Sequence, residues 1–155
     1  MNSLASPHPV QEKPEPEAAG LITMARNGFW LAPMAGITDV CFRKLMDEMN
    51  AGVLISELIS AKGLFYNSEK TRKMMRVHPN SKCITGIQLF GESASDIVRA
   101  SEFVESTGAH FVDINLGCPV KKVVKKGCGA ALLRDPVYLE KFLTTIKKGI
   151  RLPLT

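Results

Sequence analysis

The chain has 155 residues, a length that fits one ordinary domain and falls short of the ~250 residues that a complete eight-unit (β/α) barrel usually takes. Hydrophobic residues make up 45% and charged residues 23%, with 6% aromatic, which excludes collagen-like, disulfide-scaffold and largely disordered chains. The net charge of +5 is uneven: residues 1–60 carry 4 basic and 7 acidic side chains and residues 61–155 carry 16 and 8, so an anionic partner is expected to meet the second part.

Residues 1–27 begin with Pro7, Pro9, Pro14 and Pro16 interleaved with Glu12, Glu15 and Glu17, and read as a disordered tail and lead-in. From Gly28 onward short apolar runs alternate with helical patterns, the mark of βα units on a parallel sheet. Four such units are predicted. The first strand covers Phe29–Met34 and closes at Ala35-Gly36; its helix starts at Thr38 as N-cap and carries an apolar stripe at Phe42, Leu45, Met46 and Met49. The second, Val53–Ser56, leads through Glu57 into a helical region reaching Arg76. The third strand is Ile84–Phe90, and its helix opens with Ser93-x-x-Asp96 and stops at Gly108. The fourth, Phe111–Leu116, ends at Gly117. A lysine- and glycine-rich connection then reaches Asp135-Pro136, an N-cap with proline at the first helical position, followed by a stripe of Leu139, Phe142, Leu143 and Ile146 up to Gly149. Leu152–Thr155 reads as the start of a fifth strand. Crossovers of this kind close into a barrel or fan into a doubly wound sheet, and periodicity does not choose between them.

No apolar run approaches the ~18 residues of a membrane span, and residues 1–20 lack the basic start and apolar middle of a secretory signal, so a cytoplasmic location is expected. Cys41, Cys83, Cys118 and Cys128 form no CxxC pair, and His8, His78 and His110 are scattered, so reduced thiols and no metal site are expected. There is no Walker loop and no GxGxxG after a strand.

In either architecture function gathers at the carboxyl ends of the parallel strands. Those ends carry Ala32-Pro33-Met34-Ala35-Gly36, Ser56-Glu57, Gln88-Leu89-Phe90-Gly91 and Asn115-Leu116-Gly117-Cys118-Pro119. Alternation turns Val112, Ile114 and Leu116 towards the helices and Asp113 and Asn115 the other way, with Ile84, Gly86 and Gln88 on that same inner face. Gln88 and Asn115 are therefore expected to be neighbours at the mouth. Their amides donate and accept at once, which suits the mixed edge of a flavin or a pyrimidine; alternatively they satisfy turn backbone. Cys118, between a glycine and a proline, reads either as an inert small hydrophobe or as a general acid, since an ordinary thiol with a pKa near ~8.5 is mostly protonated at neutral pH. Cys41, inside a helix, and Cys83, at a strand start, take the buried, inert reading; nothing gives Cys128 a role. Lys121, Lys122, Lys125 and Lys126 follow Cys118 directly, as a solvated loop or as a grip on a nucleic-acid backbone.

In order along the chain stand Ala32-Pro33-Met34-Ala35-Gly36-Ile37-Thr38-Asp39 with Phe42-Arg43, Ser56-Glu57, Gln88-Leu89-Phe90-Gly91, Asp113-Ile114-Asn115-Leu116-Gly117-Cys118-Pro119-Val120-Lys121-Lys122-Val123 and Gly127-Cys128-Gly129-Ala130-Ala131-Leu132-Leu133. This series resembles the tRNA-dihydrouridine synthases, the bacterial B-type branch most closely, over about Phe29–Thr155. The resemblance implies a (β/α)8 barrel that binds FMN, reduces it with NADPH and passes a hydride to C6 of a tRNA uridine while a cysteine protonates C5. It puts the proton donor on Cys118, flavin contacts on the backbone of Pro33, Met34 and Ala35 and on Gln88, and uracil orientation on Asn115; by their charge beside Cys118, Lys121 and Lys122 are expected to contact the tRNA. Members of the family continue past a fifth strand to a flavin-binding lysine, a histidine and phosphate loops, so residues 28–155 are expected to be the N-terminal half of the barrel, about four βα units, as a fragment or a split gene product. A C-terminal half-barrel partner, or self-association through open sheet edges, follows as an expectation. Cys128 stands where the family usually has a small residue. Two other readings are an FMN-dependent reductase of a free pyrimidine, like the dihydroorotate dehydrogenases, and a non-catalytic RNA-binding half-barrel.

Overall fold

The structure, a computed structural model, describes Arg26 and residues 28–66 and 69–155. Apart from Arg26, the segment 1–27 expected to be disordered lies outside the described residues. Along the chain run β1 (Trp30–Leu31), α1 (Val40–Glu48), β2 (Val53–Ile55), β3 (Ile59–Ser60), α2 (Ala61–Phe65), α3 (Glu69–Met74), β4 (Ile84–Phe90), α4 (Ala94–Glu105), β5 (Phe111–Ile114), α5 (Lys121–Val124), a 3₁₀ turn (Gly129–Arg134) and α6 (Pro136–Gly149). The apolar run of β4 is buried at its first six positions, as a parallel strand covered on both faces requires.

All strand pairs are parallel: β1 with β2, β2 and β3 with β4, β4 with β5. Gly86 faces Ile55 on one side and Phe111 on the other, and Leu89 faces Ile59 and Ile114, so β2 and β3 share one flank of β4. They are one strand broken by a bulge, the five residues Ile55–Ile59 opposing the four of Gly86–Leu89. The fully buried Ser56 fills the break. Its N–H donates to the Gly86 carbonyl (3.0 Å), its Oγ accepts from the Gln88 N–H (3.0 Å), and its hydroxyl donates to the Glu57 carbonyl (2.9 Å). Beyond β5, Leu154 bridges Val112 in parallel, with the Val112 N–H on the Pro153 carbonyl (2.9 Å) and the Thr155 N–H on the Val112 carbonyl (3.0 Å). Within the expected fifth strand, Leu152–Thr155, the described residues show this one bridge at Leu154. Spatial order follows chain order without a reversal. A doubly wound sheet reverses at a switch point, whereas winding in one direction belongs to a barrel, so the described residues form an open arc of a (β/α) barrel.

Ile87, Leu89, Val112 and Ile114 turn outward onto Ile97, Ala100 and Val104 of α4 and Phe142 and Ile146 of α6. Complete burial of side chains such as Ile97 and Ile146 stabilises by ~1.5–3 kcal/mol each. Leu31 and Leu54 meet Phe42 and Met46 of α1 on the same outer side. Val53, Ile55, Ile84 and Phe111 cluster on the inner face, where the Phe111 ring lies across Gly86: a Cβ there would sit 2.2 Å from ring carbons.

Several boundaries differ from the sequence reading. The first strand keeps two of six expected residues, and Phe29 and Trp30 are half exposed. Asp39, not Thr38, caps α1, accepting from the Phe42 N–H (2.8 Å), because Thr38 is buried and bonded to Met34. Of the expected stripe on α1 only Phe42 and Met46 reach the core, while Leu45 and Met49 face outward and the buried residues of the helix are Arg43 and Asp47. The same rotation leaves Cys41 exposed. The region up to Arg76 resolves into β3, α2 and α3, β5 stops at Ile114, and α4 ends at Glu105 before a turn to Gly108. Ser93 and Asp135 cap α4 and α6 as expected.

Candidate active site

Parity and register deliver the inner-face residues of β4 and β5 to one place. Gln88 pairs with Asp113 across the ladder, and its Nε2 donates to Asp113 Oδ2 (2.6 Å). Just past the end of β5, Asn115 Nδ2 donates to Gln88 Oε1 (3.0 Å), and Asn115 Oδ1 accepts from the Cys118 N–H (3.0 Å). Thr155 Oγ1 donates to the other carboxylate oxygen of Asp113 (2.8 Å). The result is a continuous relay, Cys118–Asn115–Gln88–Asp113–Thr155, at the carboxyl end of the arc. Gln88 is 5% exposed, whereas Asn115 and Cys118 are half-buried, so the relay is rooted in the core and opens at its cysteine end.

Cys118 is held from both sides of its backbone, since its carbonyl accepts from the Ala130 N–H (3.1 Å). Gly129 makes that contact possible: its φ is +61°, and a Cβ would lie 2.7 Å from the Cys118 carbonyl oxygen and 3.2 Å from Asn115 Oδ1. Between the two contacts lies α5 with its turn, carrying Lys121, Lys122, Lys125 and Lys126, all exposed and anchored through the buried Val123. Cys128 is buried, its thiol pushed up chiefly by burial, and its N–H donates to the Val123 carbonyl (3.3 Å).

The loop after β1 is fixed by three tethers. Thr38 Oγ1 accepts from the Met34 N–H (3.0 Å) and donates to the Met34 carbonyl (3.2 Å). Glu57 Oε1 accepts from the N–H of Gly36 (2.6 Å), whose φ is +76°. The buried Arg43 donates to the carbonyls of Thr38 (2.5 Å), Met74 (3.3 Å) and Arg76 (2.6 Å), tying this loop to the segment before β4. Burial pushes the guanidinium pKa down, and Glu57 and Asp39 offset part of that. Both backbone groups of Met34 are engaged internally, and Pro33 has no N–H, so among Pro33, Met34 and Ala35 the backbone donor left for a ligand is the N–H of the exposed Ala35. Met34 offers instead its exposed side chain.

Gln88 and Asn115 are neighbours, as alternation led one to expect, and Cys118 joins them through its backbone N–H on Asn115. Sequence reasoning assigned nothing to Asp113 and Thr155, although alternation had already turned Asp113 inward, and it read Thr38 as a helix cap. The roles of Arg43 and Glu57 depend on partners 21 to 33 residues away in the chain, for which no local pattern exists. Among the described residues no three His, Cys, Asp or Glu side chains are grouped to hold a metal, and no helix is long and apolar enough to cross a membrane.

Residues 30–155 match the family model described as Dihydrouridine synthase (Dus). The tRNA-dihydrouridine synthase B of Klebsiella pneumoniae is 40% identical over 130 residues, covering 84% of this chain and 40% of that protein. That of Pseudomonas putida is 37% identical over 130 residues (84% and 38%), and that of Escherichia coli (strain K12) 39% (84% and 40%). The chain spans about two fifths of the length of these curated relatives. A site built at the strand ends of a singly wound arc, on a sequence matched by the family model from β1 to Thr155, means that the chain belongs to the dihydrouridine synthase family, in its B-type branch.

Proposed function

We propose that residues 28–155 form one partial-barrel domain that supplies the N-terminal half of the active site of an FMN- and NADPH-dependent tRNA-dihydrouridine synthase. The observation that carries this reading is the relay that sets two amides and a cysteine side by side at the carboxyl end of the arc. The residues present fit a flavin ring edge. Gln88 and Asn115 each retain one N–H and one oxygen lone pair after the relay is counted, Ala35 has an outward N–H, and the space beside Gly36 and Gly117 is open for 4 Å. Gln88, the Ala35 N–H, the Met34 side chain and Pro33 would hold the isoalloxazine, and Asn115 would orient the uracil. When bound and reduced by NADPH, FMN supplies the hydride that C6 of the uridine receives. Cys118 Sγ holds the proton that goes to C5, so that one hydride and one proton saturate the double bond, and the thiolate left behind is reprotonated from water. Clamping the Cys118 backbone through Asn115 and Ala130 is what places that proton, because delivery to one carbon of a fixed ring is a positioning problem.

The exposed lysines on and after α5 favour a polyanionic substrate over a free pyrimidine, with Lys121 and Lys122 closest in sequence to Cys118 and set to hold tRNA phosphates while the target base leaves its stack. The test is Cys118→Ala in the chain joined to the C-terminal part of a B-type relative. Flavin reduction by NADPH should proceed as in the parent, while dihydrouridine formation falls by ~10² to 10⁴, the usual effect of removing one acid–base group. Equal rates of dihydrouridine formation would overturn the reading.

A further inference from the structure

We infer that Asp113 is the positioning residue that fixes which way the Gln88 and Asn115 amides face, and with it the order of donor and acceptor that Gln88 offers the flavin and Asn115 the uracil. The substrate in this inference rests on the reductase reading above; the geometry does not. An ionised carboxylate only accepts hydrogen bonds and a peptide N–H only donates them, so Asp113 and the Cys118 N–H bracket the two amides from opposite ends. The Cys118 N–H demands the oxygen of Asn115 (3.0 Å), which sends Asn115 Nδ2 to Gln88 Oε1 (3.0 Å) and leaves Gln88 Nε2 for Asp113 Oδ2 (2.6 Å). Thr155 Oγ1, on the other oxygen of the carboxylate (2.8 Å), keeps that group from turning away. Reversing either amide would set donor against donor or acceptor against acceptor. At Gln88, which is buried, little water could relieve the mismatch.

The two ends of an amide are alike in size and opposite in hydrogen bonding. An unpinned amide turns to suit its partner; a pinned one presents a fixed pattern. Uracil offers an N3–H between two carbonyls, whereas cytosine offers a bare N3 beside an amino group. With the relay in place, the N–H and the lone pair that each amide has left point in directions set by Asp113, so Asn115 is complementary to one of these bases and opposed to the other, while Gln88 presents a fixed pattern to the flavin edge.

Side-chain amide exchange, followed by NMR in the 155-residue chain, tests the relay without requiring catalysis. In the parent, the Gln88 and Asn115 amide protons should exchange more slowly than those of the exposed Asn80. Asp113→Ala should speed both by about tenfold or more, as expected for one charge-assisted hydrogen bond, and leave the backbone amides of Ile87 and Val112 unchanged. Asp113→Asn still presents a carbonyl to Gln88 and an amino group to Thr155, and should keep both amides protected. Unprotected amides in the parent overturn the inference outright, as does loss of protection in Asp113→Asn; these two measurements decide it even where Asp113→Ala does not fold. Equal acceleration of the core amides in Asp113→Ala also overturns it, since that is general loosening. In the chain joined to the C-terminal part of a B-type relative, Asp113→Ala should lower kcat on tRNA by ~10- to 10²-fold through misplacement alone. Asp113→Asn should restore the rate. A kcat unmoved by Asp113→Ala overturns the positioning role, whereas an inactive parent counts against the reductase reading and leaves the amide result standing.

Discussion

The Asp47 carboxylate closes the turn that leads into β4. It accepts from the Ser81 hydroxyl (3.0 Å) and from the N–H groups of Lys82 (3.0 Å) and Cys83 (2.9 Å), three donors at the head of a buried strand. Burial raises its pKa, but the hydrogen bonds from Cys83, Ser81 and Lys82 outweigh this, so the carboxyl sits below its usual range. A depressed carboxyl pKa means that the unfolded chain binds more protons in acid; the stabilisation is present above ~3.9, the unfolded value, and is lost as pH falls through the folded value. Asp47→Ala should cost ~1–3 kcal/mol at pH 7 by stranding the Cys83 N–H, and urea melts of the variant should lose less stability than the parent on going into acid. Identical melts at pH 7 would show the turn to be held by something else. Cys83 has the opposite sign: burial, helped by Asp47, pushes its thiol up to about 12, and the thiol donates to the Ala51 carbonyl. Its contribution is complete below the ordinary thiol value of ~8.5 and fades only as pH climbs towards the folded one.

Elements show which parts of this molecule are written locally. β4 was legible to the residue because a fully buried strand needs an unbroken apolar run, and α4 and α6 were legible because Ser93 and Asp135 announce their own caps. The turn of Gln88 and Asn115 towards each other followed from alternation alone. α1 was misread because it lies at the end of the arc, where its inward face serves hydrogen bonding: Arg43 holds three carbonyls and Asp47 three donors, and neither obligation leaves an apolar signature. The bulge at Ser56 was invisible for a similar reason, since a hydroxyl standing in for a ladder acceptor is a tertiary event. β4 also carries a sharp stability test. Gly86→Ala would drive a methyl into the Phe111 ring at 2.2 Å, and neighbours on both flanks of β4 limit relaxation, so a loss of ~1–3 kcal/mol or more is expected in thermal melts; an unchanged Tm would mean that the ring moves freely. At α5 the matter is charge. Neutralising Lys121, Lys122, Lys125 and Lys126 together should weaken tRNA binding and flatten its dependence on salt by up to ~0.9 log unit for each phosphate no longer neutralised, and an unchanged slope would show them to be merely solvated.

At the scale of the whole molecule the sheet has two ends. Among the described residues β1 pairs with β2 at one end, and at the other β5 is bridged by the short stretch around Leu154. In a closed barrel every strand has two neighbours, and sheet edges in general are where pairing with another chain starts. Exposed apolar side chains gather at the β1 end: Phe29 and Trp30 are each 50% exposed, and Ile37, Leu45 and Met49 on the following loop and helix are exposed as well. Trp30 lies in register with Val53, on the inner face that a closed barrel buries. The 17.0 kDa chain should therefore self-associate at micromolar concentration when studied by itself, through these exposed apolar side chains. Its net charge of +5 is too small to keep two apolar edges apart once salt shortens the Debye length to ~10 Å at 0.1 M. Trp30→Lys places a charge on the inner face of the edge strand, a device natural sheets use against such pairing, and should shift sedimentation towards the monomer while leaving the β4–β5 core and its relay intact. A parent chain that sediments as a single monomer at all concentrations, with Trp30→Lys indistinguishable from it, would mean that the β1 edge does not pair and that the exposed residues around it are covered within the same molecule.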